Sequence, residues 1–171
     1  MYVDNEIGKL EKVIVHFPDE GISRISPKRA ESLLFDDIVF YPLMGQEYKS
    51  FLEVLHLFVG KENVLEAEDL IIEAIDACDA VKEELIDRVI LFEELPPSFE
   101  KYLDGLTDRE LAKVLITGYL RSEERILFDP IPNYMFTRDI AVTIKDHILI
   151  TKAAKEARYR ENLLSLSLIH I

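Results

Sequence analysis

Asp129-Pro-Ile-Pro-Asn-Tyr-Met-Phe-Thr-Arg-Asp139 is the stretch on which the reading of this chain turns. Two prolines fix φ on either side of Ile131, and an amide, a guanidinium and a carboxylate follow at Asn133, Arg138 and Asp139. Ile140, Val142 and Ile144 then alternate with Ala141 and Thr143, which predicts a half-buried strand with Asp139 at or near its start. Taken alone, Arg138 and Asp139 read as a surface ion pair worth about 0–1 kcal/mol and Asn133 as a turn cap. Taken together, the residues describe a polar site at the entrance of a strand, where a carboxylate needs a partner.

Downstream, Lys145-Asp146 lies between two alternating apolar runs and predicts a hairpin tip, with Ile148, Leu149 and Ile150 beginning the second strand. Residues 153–164 read as a helix carrying Arg158, Arg160 and Glu161 near its start; on spacing alone this is a solvated face with an i,i+3 ion pair between Arg158 and Glu161. Upstream, residues 68–120 carry helical spacing only. Leu70, Ile71, Ala74, Ile75, Cys78 and Val81 form an apolar stripe, Pro96-Pro97 breaks the middle, and Thr107-x-x-Glu110 is a capping-box signature. Cys78 on that stripe reads as a small core residue rather than a nucleophile.

Nearer the start, residues 11–17 alternate as a strand bounded by Gly8 and Pro18, with His16 inside or at the edge of a sheet as hydrogen-bonded scaffold. His56, His147 and His170 read the same way. Ser26-Pro27 predicts an N-cap and a short helix to about Leu33, followed by a Leu33-Leu-Phe-Asp-Asp-Ile38 loop. Residues 46–59 predict a helix with one apolar face that Gly60 ends, and residues 63–65 a returning strand. Strand, helix and strand with short links make an α/β unit.

Composition narrows the function classes. The 171 residues are 49% hydrophobic and 31% charged, enough for a globular core. Twenty Lys+Arg against 33 Asp+Glu give a net charge of −13 without an acidic tail, which argues against nucleic acid as a partner. One cysteine excludes an internal disulfide and any multi-cysteine metal site, and fits a reducing cytoplasm. The start has no basic region followed by an apolar one, and no long apolar run occurs, so a cytoplasmic protein without a membrane anchor is expected.

The string N-x-x-F-T-R-D, preceded by D-P-x-P and followed by a hairpin and an A-R-x-R-E helix, resembles the arginine deiminases of the guanidino-group-modifying superfamily. E-I-G-K-L-x-K-V near the start, L-L-F-D-D and R-x-L-A-x-x-L occur in that family's order, so the resemblance covers most of the chain. It implies an α/β fold: part of a pentein, a propeller of ββαβ modules, with an all-helical insert. The boundaries it implies are a first module over 1–67, the insert over 68–122 and the start of a second module over 123–171.

On the resemblance, Asp139 is the catalytic carboxylate that takes two N–H bonds from the substrate guanidinium, a planar fork matched by two oxygens. Asn133 and Arg158 hold the α-carboxylate of L-arginine, Phe136 lines the site near the α-amine, and Arg138 lies beside Asp139 and orients the loop. Leu34 offers its backbone carbonyl to the α-ammonium. The family's reaction uses a cysteine thiolate and a histidine, with no metal and no cofactor, and releases citrulline and ammonia. The chain contains no H-x-D and no second cysteine, so the resemblance places the nucleophile beyond Ile171 and makes this the inactive N-terminal part of a deiminase, a homo-oligomer when whole. An amidinotransferase or another guanidino hydrolase of the superfamily, and a non-catalytic interaction module built on the helical insert, stand as alternatives.

Overall fold

The computed structural model describes residues 2–167. Strand β1 (Val13–Val15) pairs in parallel with β2 (Val64–Glu66), Val13 opposite Val64 and Val15 opposite Glu66. β1 is shorter than the predicted 11–17, whereas β2 has the predicted three residues shifted by one and ends where Glu66 turns directly into the next helix. Between them runs α1 (Tyr41–Val59). It begins five residues before the predicted start, because Pro42 is tolerated in the first turn of a helix. It ends as expected at Gly60, whose φ of +87° suits only glycine.

No helix forms after Pro27. The amides of Arg29 and Ala30 both bond to the Ser26 carbonyl, and one 3-10 turn, Glu31–Leu33, follows. Phe35 N then closes back on Ala30 O at 2.9 Å with Leu34 left-handed at φ +64°, which stops the chain after a single turn. This turn is held by its own small core of Ile22, Ile25, Ala30 and Leu33, on which Met44 and Met135 pack.

Four helices follow: α2 (Ala67–Ala77), α3 (Asp79–Phe92), α4 (Ser98–Asp104) and α5 (Asp108–Thr117). The capping box is present: Thr107 Oγ1 accepts from Glu110 N at 3.3 Å, and Glu110 Oε2 accepts from Thr107 N at 3.2 Å. Cys78 is not in the core. The stripe breaks there because Cys78 adopts extended angles as the junction between α2 and α3, and its side chain is exposed. Gly118 ends α5 in the left-handed region; a Cβ there would sit 2.0 Å from the Phe128 carbonyl oxygen, so only glycine lets the chain double back. It returns through β3 (Tyr119–Leu120) and β4 (Arg125–Ile126), an antiparallel pair.

Antiparallel strands β5 (Ala141–Ile144) and β6 (His147–Ile150) form the predicted hairpin with Lys145-Asp146 at its tip. Its apolar side chains are the surprise: Val142, Ile144 and Leu149 on one face and Ile148 on the other are exposed, while Ala141 and Thr143 are half-covered. In β5 the alternation is right and its more covered phase is opposite to the expected one, while Thr151 Oγ1 donates to the Asp139 carbonyl at the base of the hairpin. The last element, α6 (Tyr159–Ser167), follows a 3-10 turn at Glu156–Arg158. The main core joins α2–α5 to Leu120, Phe128, Ile131, Tyr134, Ile140 and Leu164. Among the described residues no helix is long and apolar enough to cross a membrane. The reading of His170 falls outside the described residues.

His16, the residue after β1, is buried against the Tyr134 ring at 5.1 Å and lies between two carboxylates, Nδ1 to Glu66 Oε1 at 2.7 Å and Nε2 to Asp19 Oδ2 at 3.0 Å. With an acceptor at each nitrogen the ring is an imidazolium that donates twice, the scaffold role expected of it. Burial, the largest effect, lowers its pKa, but the hydrogen bonds and charges of Asp19 and Glu66 together outweigh it and raise the pKa from 6.5 to about 9. A raised folded-state pKa stabilises fully below the unfolded value and is lost as pH climbs through the folded one. The urea midpoint is therefore expected to fall between pH 6.5 and about 9 by the equivalent of roughly 3 kcal/mol, and a His16→Gln variant to lose that slope. A wild-type midpoint that is flat over this range contradicts the charged clamp.

Candidate functional site

The turn Pro132–Met135 follows the two prolines, and a second 3-10 turn, Thr137–Asp139, delivers Asp139 immediately before β5. Asn133 is buried and donates from Nδ2 to the Leu33 carbonyl at 2.8 Å. That single bond fixes the 33–34 loop against the 132–135 turn, across one hundred residues of chain. Leu34 lies just beyond it and lines an open cleft with Lys28, Ser32, Lys155 and Ala157. Thr137 Oγ1 donates to the Ile14 carbonyl at 2.8 Å, which seats the second turn beside β1.

Arg158 comes from the turn that opens α6 and meets Asp139, its Nη1 donating to Asp139 Oδ2 at 2.8 Å. Its opposite edge forks onto Glu161, Nε and Nη2 each reaching Oε2 at 2.9 and 2.8 Å, and Nη2 also leans on the Asn133 carbonyl at 3.4 Å. Burial alone would lower the Arg158 pKa, but the hydrogen bonds to Glu161 and Asp139 more than offset it and hold the guanidinium charged. Glu161 is almost fully enclosed, and burial pushes its carboxyl up against the opposing pull of Arg158. The solvated ion pair expected from the i,i+3 spacing is thus an enclosed one.

Three expected site residues, Asn133, Asp139 and Arg158, therefore converge, and Leu34 is tied to them through its neighbour. Two stand apart. Arg138 turns away from Asp139 and pairs with Glu6, Nη2 to Oε1 at 2.5 Å, with both side chains exposed; successive residues of a 3-10 turn project in different directions, so adjacency in sequence did not bring them together. Phe136 is half exposed at the bend between the two turns. Glu161 and Arg160 are the residues that spacing undervalued. Arg160 is buried, donates from Nε to the Leu115 carbonyl at 3.0 Å and from Nη2 to the Asp129 carbonyl, pairs with Glu93 through Nη1, and lies 4.5 Å over the Phe128 ring. The available signal was density: two arginines and a glutamate in four residues, in a helix whose next residues are apolar.

This mixed α/β chain brings a carboxylate, a guanidinium and a buried amide residue together beside a pinned loop. Sequence comparison narrows this. A family model described as arginine deiminase matches residues 107–170, which include the whole convergent cluster except the 33–34 loop. The arginine deiminase of Limosilactobacillus fermentum is 34% identical over 191 residues, covering 99% of this chain and 46% of its own length. Those of Latilactobacillus sakei and Borrelia recurrentis are 31% and 29% identical, over 95% and 94% of this chain. The chain is similar to these arginine deiminases over nearly its whole length, and it spans less than half of theirs.

Because Arg160 is buried and holds Glu93, Arg160→Met strands a carboxylate of low exposure and leaves the Leu115 and Asp129 carbonyls without their donor. A loss of about 3–5 kcal/mol is expected in urea unfolding, with Arg160→Lys recovering little because an ammonium cannot span three acceptors. A cost below about 1 kcal/mol would remove Arg160 from this role.

Proposed function

We propose that this chain is part of an enzyme that hydrolyses the guanidinium of L-arginine to give L-citrulline and ammonia. The observation that carries the reading is the meeting of Asp139 with Arg158 beside Asn133, within the segment that matches the family model. Free arginine has a planar cation at one end and a zwitterion at the other, so its pocket needs an acid at one end and bases at the other. Asp139 supplies the acid, a half-exposed carboxylate whose two oxygens match the guanidinium fork. Arg158 and Asn133 supply the grip on the α-carboxylate, and the Leu34 carbonyl the acceptor for the α-ammonium.

In this arrangement Asp139 already holds a guanidinium, that of Arg158. Substrate takes its place: Arg158 gives up one bond, from Nη1, while Glu161 keeps its other edge in position to meet the incoming carboxylate. Phe136 flanks the site, and Arg138 steadies the turn through Glu6 rather than by touching substrate. The chemistry needs a thiolate that attacks the guanidinium carbon, expels ammonia and is released by water. Cys78, at the α2–α3 junction, is not that group, and the reading assigns the nucleophile to sequence outside these 171 residues. It also takes β1–α1–β2 as part of a first pentein module over 1–67, the helices of 68–122 as an insert, and 123–171 as the start of a second module, in a protein of the cytoplasm.

Reading the genomic locus past codon 171 is expected to give an in-frame H-x-D and a further cysteine. In that longer enzyme Asp139→Ala is expected to abolish citrulline formation, since the guanidinium loses its anchor. Arg158→Ala is expected to raise KM by 10-fold or more, an order-of-magnitude figure for one charge-assisted pair, and to lower kcat less. Near-normal turnover by Asp139→Ala overturns the assignment, and a loss confined to kcat for Arg158→Ala moves that residue into the chemistry.

A further inference from the structure

His16 has no task in the chemistry proposed above, yet the chain encloses it and meets both ring nitrogens with carboxylates. Each carboxylate turns its second oxygen to backbone. Glu66 Oε2 accepts from Phe17 N at 3.0 Å, and Asp19 Oδ1 accepts from Gly21 N at 2.6 Å. Three segments therefore meet on one ring: the end of β1, the junction of β2 with α2, and the loop after Pro18. Glu66 is also held by the strand pairing, so Asp19 is the freer partner.

The loop of Asp19 leads to the site. Gly21 lies against Pro130, where a Cβ would sit 2.8 Å from the proline Cβ, and Ile22 shares the satellite core with Leu33, on which Met135 packs. Asn133 closes the same circuit through the Leu33 carbonyl, and the ring of its neighbour Tyr134 is centred 5.1 Å from that of His16. The clamp thus touches the Asn133 turn directly and reaches the Leu34 loop through residues 19–25.

We infer, on the arginine reading above, that His16 is a positioning residue for the end of the site that grips the substrate's α-carboxylate and α-ammonium, and that losing its second ring proton slackens that end. An imidazolium donates at both nitrogens, whereas the neutral ring donates at one and presents a lone pair at the other. With Glu66 keeping the remaining proton, Nε2 and Asp19 Oδ2 become two acceptors 3.0 Å apart, and the loop of 19–25 gives way. Around the ring, Tyr48 comes from α1, Glu68 from α2 and Tyr134 from the proline turn. Burial pushes both phenols up, Tyr48 to about 12, so neither ionises where the ring does, and the charge of Glu68 favours the imidazolium.

The test is 13C-detected NMR of the 171-residue chain from pH 7 to 10.5, which reads carbons that do not exchange with water. The His16 ring is expected to titrate near pH 9, and the methyl carbons of Leu33, Leu34 and Met135 and the Asn133 carboxamide carbon to shift with the same midpoint. Leu111 and Leu115 of α5 stay still. Asp19→Asn removes the step and keeps the fold: its oxygen still accepts from Gly21 N, while its amide donates to Nε2 of a neutral ring, so the clamp closes without the second proton. In the longer enzyme, KM for L-arginine is expected to climb roughly 10-fold more from pH 8 to 10 in the wild type than in Asp19→Asn, as the clamped fraction falls, with kcat following one profile in both. Comparison at equal pH cancels the ionisation of the substrate itself. A ring that titrates while those carbons stay flat, a step shared by α5, a step that survives in Asp19→Asn, or equal KM profiles overturns the proposal. The NMR arm needs no substrate, so a longer enzyme inert toward arginine sinks the arginine reading alone.

Discussion

The buried guanidinium of Arg160 is the constraint from which the arrangement of the site follows. A charge taken out of water must be met on every edge, and here the partners come from the end of α3 (Glu93), the last turn of α5 (Leu115) and the start of the proline loop (Asp129), with the Phe128 ring beneath. Helix α6 can satisfy all of these in only one position. That position carries Arg158 to Asp139 and Glu161 into the gap behind it, so the geometry at the surface is fixed by a contact in the interior. The helices of 67–117 thereby act on the site without contributing a residue to it.

How much of this was legible depended on whether a residue's partners were near it in sequence. The capping box at Thr107, the glycine end of α1 and the hairpin at Lys145-Asp146 rest on contacts a few residues long, and all are where local rules put them. The cluster of Asn133, Asp139 and Arg158 was reached through the whole string N-x-x-F-T-R-D and the A-R-x-R-E helix, since spacing by itself favoured a surface ion pair and a solvated helix face. What tertiary contacts decide was misread. Glu161 is enclosed because Arg158 and the neighbouring turns close over it. Arg138 leaves Asp139 because Glu6 arrives from the opposite end of the chain.

Two of the misreadings share a cause. Cys78 sits at the right interval for the α2 stripe, but an apolar stripe states only that its members share a face while the helix lasts, and the helix ends at Ala77. In β5 the period of two is equally plain, yet a period does not say which phase is inward. The covering element decides, and Val142 and Ile144 remain exposed while Ala141 and Thr143 are half-covered. Apolar surface on that hairpin is the visible remainder of this.

The contacts that complete the first third of the chain come from its last third. Asn133 reaches Leu33 over 100 residues, Thr137 reaches Ile14 over 123, and Arg138 reaches Glu6 over 132. A ribosome delivers the N-terminal strand, the Leu34 loop and α1 long before it delivers the residues that lock them. Until the proline loop emerges, that first segment is held by the β1–β2 pairing, the clamp of His16 on Asp19 and Glu66 and its small satellite core, without the long-range bonds that lock it. Asn133 is then a latch in time as well as in space: the residue whose synthesis ends the interval in which the nascent chain is most open to capture by chaperones or to aggregation.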